Sequence, residues 1–93
     1  MNGNLLMKIA VLVRQRTEEA LRMALGLTLM DDKVDVYLTV CPPEPTSQNA
    51  MNLEMLREMK AGFYALSDVE GFSRVEADRF SEILLGYDRV IAY

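Results

Sequence analysis

Apolar residues recur along this chain with two different periods, and the changes between them mark its elements. Leu5 to Val13 is a nearly unbroken apolar run with one charge, Lys8, closed by the polar turn Arg14-Gln15-Arg16-Thr17. Such a run suits a strand buried on both faces, and it is expected at the centre of a parallel sheet. Helical spacing follows from about Thr17 to Met30, with Ala20, Leu21, Ala24, Leu25 and Thr28 on one stripe, Leu27 at its edge and Arg22 facing away. Thr17 suits the N-cap, Glu18 and Glu19 favour the first turn, and Asp31-Asp32-Lys33 ends the helix. Val34 to Val40 is β-branched and aromatic, with Asp35 marking a strand less buried than the first. Cys41-Pro42-Pro43-Glu44-Pro45 stops it, because proline cannot donate to a ladder.

A second helix is expected from Ser47 to Lys60, capped by Thr46 or Ser47, with Gly62 just past its end. Leu53, Leu56 and Met59 form one stripe on it, and Met51, Met55 and Met59 a second, overlapping one. Gly62 to Leu66 reads as a third strand ending at Ser67-Asp68. Residues 72–75 fit either a short edge strand or, through Ser73-x-x-Glu76, a capping box. A last helix runs from Glu76 or Ala77 to Leu85 with Phe80, Ile83 and Leu84 inward, and Asp88 to Tyr93 forms a final strand. The order β-α-β-α-β-(β)-α-β implies right-handed crossovers and a mainly parallel sheet. The fold class is therefore α/β: a flavodoxin-like three-layer sandwich, four or five strands with helices on both faces, in one domain spanning 1–93.

Composition narrows the functions. Of 93 residues, 51% are hydrophobic and 26% charged, which excludes a disordered chain. The net charge of −4, with no Lys/Arg-rich run, argues against nucleic acid. No apolar run approaches the roughly 20 residues of a membrane span. The N-terminus lacks the basic region of a signal peptide, and a single cysteine, Cys41, cannot close an intrachain disulfide; the expectation is a soluble protein in a reducing, cytoplasmic setting. The absence of histidine removes Ser-His-Asp and Cys-His catalysis, HExxH metal sites and Cys/His zinc fingers. No metal or cofactor is expected. Neither G-x-G-x-x-G nor G-x-x-x-x-G-K-[ST] occurs, so the dinucleotide and P-loop readings fall.

In such a sheet, ligands bind beyond the carboxyl ends of the strands. That rule collects Arg14, Gln15, Arg16 and Thr17 after the first strand, Cys41 after the second, and Ser67 and Asp68 after the third. Two arginines at a helix N-terminus could hold an anion or lower the pKa of a nearby thiol, making Cys41 a weak catalytic candidate. The plainer alternatives are solvated turn arginines and a small packed cysteine. Met51, Met55 and Met59 are either core filler or a subunit interface; a small domain with so wide an apolar helix leans toward self-association.

The segment order also carries a resemblance. Met7-Lys8-Ile9-Ala10-Val11-Leu12-Val13, then Ala20-Leu21-x-x-Ala24-Leu25, then Val34-Asp35-Val36-Tyr37-Leu38, resembles the small sulfur-relay family of the DsrE/DsrF type. So do Glu58-Met59-Lys60-Ala61-Gly62 leading into a strand, Gly71-Phe72-Ser73-Arg74-Val75 before the last helix, and Tyr87-Asp88-Arg89-Val90-Ile91-Ala92-Tyr93, which is similar to the family's Asp-x-Val ending. Active members carry a persulfide cysteine just after the third strand, where this chain has Leu66-Ser67-Asp68. They tend to have an Asp-Gly-type loop after the second strand, where this chain has Cys41-Pro42-Pro43. The resemblance implies a homo-oligomer, trimer or hexamer, without catalysis of its own, acting as a binding or scaffold subunit with a sulfur-relay partner. The alternative it implies is a divergent sulfur carrier, sulfurtransferase-like, using Cys41.

Overall fold

The computed structural model describes residues 7–30, 32–39 and 46–93. In chain order its elements are β1 (Lys8–Val13), α1 (Thr17–Thr28), β2 (Lys33–Leu38), α2 (Ser47–Glu58), β3 (Gly62–Ala65), β4 (Ser73–Arg74), α3 (Ala77–Leu84) and β5 (Arg89–Ala92). The strands form one sheet in the order β4-β3-β2-β1-β5, and every neighbouring pair is parallel. Leu5, Leu6 and the stop at Cys41-Pro42-Pro43-Glu44-Pro45 lie outside the described residues.

Alternation along the strands sorts side chains onto two faces. Ile9, Val11 and Val13 of β1 join Val34, Val36 and Leu38 of β2 in one buried cluster with Ala20, Leu21 and Ala24 of α1 and Leu56 of α2. The small Ala20 and Ala24 let α1 approach the sheet closely. The opposite face carries Tyr37, which meets Phe80 of α3 at 5.5 Å between ring centres. The helices thus divide two to one across the sheet. The chain steps from β1 to β2 to β3 under α1 and α2 and on to β4, then returns past three strands to β5 by way of α3. Right-handed crossovers in opposite directions require opposite faces, which is where the helices lie.

Several sequence expectations are corrected. The middle strand is β2, not β1, although β1 has a strand on either side. Asp35 does not mark a less buried strand: it is only 4% exposed, and β2 is buried from Val34 to Leu38. Thr17 is the first helical residue rather than the cap; Arg16 occupies the N-cap position, and its side chain makes no capping hydrogen bond. Residues 73–74 are an edge strand, and Glu76 precedes α3 with no capping box. No residue of α3 is fully buried; Phe80, Ile83 and Leu84 are half-buried.

The end of α2 explains another difference. The Ala61 N–H donates to the Leu56 carbonyl at 3.0 Å and the Lys60 N–H to the Arg57 carbonyl at 3.0 Å, the paired bonds of a Schellman motif. The left-handed residue that this motif needs is Lys60, at φ 65°, not a glycine. Gly62 serves β3 instead. A Cβ there would lie 2.3 Å from Asp35 Oδ1 and 2.9 Å from the Tyr64 ring, so glycine makes room for the buried carboxylate.

The inner face of α2 keeps Leu56 and the half-buried Leu53 of the first expected stripe but not Met59, and differs from the second. Asn49, Asn52 and Leu56 are its buried residues, at i, i+3 and i+7. Met51, Met55 and Met59 are 56%, 43% and 42% exposed. At about 100° per residue, seating Leu56 on the sheet turns Met55 about 100° away from it. On the other flank of the helix, the Arg57 guanidinium lies over the Phe63 ring at 5.3 Å, which fixes the same rotation.

Candidate functional site at the carboxyl edge of the sheet

From β1 the chain moves to β2 on one side, while β5 sits on the other side of β1, so the strand order reverses between β1 and β5. A crevice at the carboxyl ends follows from that reversal. The Arg14 and Gln15 N–H groups both donate to the Tyr93 carbonyl, at 2.6 and 2.9 Å, and tie the β1 turn to the end of β5. Beside this clasp lies a cavity of about 330 Å³ lined by Arg14, Gln15, Arg16, Ala92 and Tyr93.

Gln15 and Arg16 also line a second cavity, of about 420 Å³, which the N-termini of α1 and α2 share. Thr17, Glu18 and Glu19 contribute from α1, Thr46 and Asn49 from α2. The two helix starts differ. Thr46 caps α2, its Oγ1 accepting from the Asn49 N–H at 3.0 Å. No side chain caps α1, so its first-turn N–H groups keep the capacity to bind an acceptor. Asn49 is buried.

The charges at this edge are mixed. Arg16 lies 3.8 Å from Glu19, and Arg22 3.1 Å from Glu18, all four well exposed, so each pair adds little to stability. Arg14 makes no ion pair among the described residues. Among the described residues, the edge therefore offers Arg14 without an ion pair, Arg16 held loosely, and a helix start without a side-chain cap. Groups of this kind suit a small anion in general, while nearby carboxylates such as Glu18 and Glu19 disfavour a highly charged one.

Arg14 and Arg16 line the smaller cavity, and Arg16 and Thr17 the larger one. The structure places Ser67 and Asp68 after β3, two strand spacings or about 10 Å from β1, where Asp68 pairs with Arg74 at 3.5 Å. They line none of these cavities. Cys41 lies outside the described residues. Among the described residues no three acidic or cysteine side chains cluster as metal ligands, and no helix is long and apolar enough to cross a membrane.

Sequence reasoning misses a polar cluster on the α3 face, toward the amino end of the sheet. The Tyr87 hydroxyl donates to Asp35 Oδ2 at 2.5 Å, and the Tyr37 and Tyr87 hydroxyls are 2.6 Å apart. Because Tyr87 commits its proton to the carboxylate, Tyr37 is the donor in that second bond. Lys33 Nζ reaches Asp35 Oδ1 at 3.1 Å, and Lys8 Nζ lies 4.8 Å from the centre of the Tyr87 ring. Tyr64 stacks on Tyr37 at 4.9 Å. Burial, then donation to Asp35, pushes the Tyr87 phenol far above its ordinary range; burial pushes Tyr37 up as well. A protonated phenol holding a buried carboxylate at the amino end is a clasp between β2 and the start of β5. The signal for it in the sequence was Asp35 at a core position with Gly62 opposite in register.

Comparison with known proteins identifies no relative: no protein-family model, curated protein or solved structure matches this chain.

Proposed function

We propose that this chain is a non-catalytic binding and scaffold subunit of the sulfur-relay, DsrE/DsrF type, working in a reducing, cytoplasmic setting. It self-associates as a closed homo-oligomer, trimer or hexamer, and takes a small anion at the carboxyl edge of its sheet. A sulfur-relay protein is its expected partner. The observation that carries the binding part is the shared position of Arg16 between two cavities, one at the β1–β5 reversal and one at the uncapped start of α1. The exposed methionine row of α2 supports the assembly part.

Sulfate or phosphate titrated against thermal unfolding tests the binding. Ligand that binds only the folded state raises stability by about 2.7 kcal/mol at a hundredfold excess over Kd. The native chain should show a saturable rise, and the Arg14→Ala/Arg16→Ala variant should lose it. Equal responses of the two proteins to salt would reduce the arginines to solvated turn residues. Thiol labelling at neutral pH decides between scaffold and carrier. Protection of Cys41 until denaturation supports the scaffold; fast labelling supports persulfide transfer through Cys41 instead.

A further inference from the structure

Three sulfurs of α2 remain unaccounted for by the fold. Met51, Met55 and Met59 recur every four residues and stand out from the helix, while Asn49, Asn52 and Leu56 face the sheet. Met59 lies one residue beyond Glu58, yet its N–H donates to the Met55 carbonyl at 3.0 Å, so helical spacing holds through all three. Leucine would serve a plain apolar surface as well. What methionine adds is a thioether: neutral, polarisable and a ligand for soft metal ions.

Helix geometry sets how the sulfurs can meet. Residues four apart on one face have Cβ atoms about 5–6 Å apart, and long side chains favour rotamers that lean toward the helix N-terminus. That preference sets Met55 over Met51 and Met59 over Met55. With a metal–sulfur bond of about 2.3 Å, two sulfurs flanking one ion stand under about 5 Å apart, which flexible thioethers four positions apart can reach. Met51 and Met59 are about 12 Å apart along the axis, so Met55 is the member that both pairs share. Glu54 and Glu58 stand three positions after Met51 and Met55, both exposed and without an ion pair among the described residues. Their charge draws cations to the row, while their hard oxygens leave a soft ion to the sulfurs.

We propose that this row is a thioether site for a soft monovalent cation of the copper(I) class, held between Met55 and either Met51 or Met59. A hard divalent ion finds nothing comparable, since among the described residues no three acidic or cysteine side chains cluster. The thioethers carry no ionisable proton, so binding releases none and is independent of pH near neutrality, unlike binding by a thiolate. No electron moves: the ion enters and leaves in one oxidation state. The site is complete within one subunit and does not rest on the self-association proposed above.

Silver(I), a redox-inert probe of the same class, tests the site by calorimetry in chloride-free buffer. Cys41→Ser is the parent for every variant, because the thiol is itself a soft ligand. The parent should bind one ion per chain, with equal affinity from about pH 6 to about pH 8. Substitution by leucine removes a sulfur and nearly keeps the volume, so folding should survive, and circular dichroism checks it. Met55→Leu should weaken binding by roughly tenfold or more, because it breaks both pairs; Met51→Leu and Met59→Leu should each weaken it by roughly twofold, because one pair remains. Labelled methionine methyl groups give a second readout. Those of Met51, Met55 and Met59 should shift with silver, while that of Met23, 39% exposed but with no methionine three or four positions away, should stay. A parent that takes up no silver, or whose affinity falls with acid over that range, would overturn the site. So would a Met55→Leu variant that binds as the parent does, or a Met23 signal that moves at the same silver concentration as Met55.

Discussion

Tyr87→Phe is the sharpest test of how β2 and the start of β5 are clasped together. The substitution removes one oxygen and keeps the ring. That oxygen donates to Asp35 Oδ2 at 2.5 Å and accepts from Tyr37 at 2.6 Å, beside a carboxylate whose side chain is only 6% exposed. A hydrogen bond to a charged group contributes about 1.5–3 kcal/mol, and leaving the buried partner short of a donor adds desolvation cost. Lys33 still reaches the other carboxylate oxygen, but from an exposed position where a pair contributes under about 1 kcal/mol. The expected loss is about 2–3 kcal/mol, or roughly 10–20 °C in Tm for a domain of this size. Thermal and urea unfolding measure it, with the Asp35→Asn background completing a double-mutant cycle. In that background the same change should cost about 1 kcal/mol less, since no charge remains to be held. A Tm lowered by under about 3 °C, or equal costs in both backgrounds, would show that the phenol does not hold the carboxylate.

Gly62→Ala should destabilise by about 1–3 kcal/mol, because the new methyl meets Asp35 and Tyr64 at overpacked distances, and Gly62→Ala should cost less in an Asp35→Ala background. Lys60→Gly should stabilise by about 1 kcal/mol in urea unfolding by relieving a left-handed backbone that L residues adopt at a cost; no gain would mean that the Lys60 side chain compensates. Alkaline titration follows from the raised phenols: the folded chain keeps protons that the unfolded chain loses above its ordinary tyrosine pKa near 10. Stability from this source is complete below pH 10 and declines as pH rises beyond it, by up to about 1.4 kcal/mol per pH unit for each such tyrosine. Tyr87→Phe should make that decline shallower, and an identical slope would contradict the assignment.

The alternation of strands and helices was legible because it depends on local periodicity, and α1 shows it most clearly: Ala20, Leu21, Ala24 and Thr28 are buried as their spacing implies. The position of Arg14, Arg16 and Thr17 at the carboxyl edge was legible for a topological reason, since residues after the first strand of a parallel sheet lie there. What failed was everything decided by rotation or by distant partners. The turn of α2 about its axis depends on Leu56 and Arg57 meeting the sheet, which spacing alone does not rank above three methionines. Asp35 was read as a sign of exposure because its donor, Tyr87, lies 52 positions away. Gly62 was assigned to a helix end for want of knowing that a carboxylate stood across from it. Ser67 and Asp68 were grouped with the arginines before the strand order separated them.

The placement of β5 bears on how the chain reaches this fold. Ile9 pairs with Val34 on one side and with Arg89 on the other. The second closure encloses roughly three times as much chain and costs about 1 kcal/mol more in loop entropy. Contacts among β1, α1, β2, α2 and β3 are all between near neighbours, so they favour early formation; the pairing of Lys8 with Asp88, 80 positions apart, favours late formation. During synthesis at about 5–20 residues per second, β1 waits on the order of 4–16 seconds for that partner to be made. Through that interval the apolar run from Ile9 to Val13 has one unpaired flank, the kind of edge that recruits foreign strands. The reciprocal bonds between Lys8 and Asp88 are thus the step that retires the most aggregation-prone segment of the nascent chain.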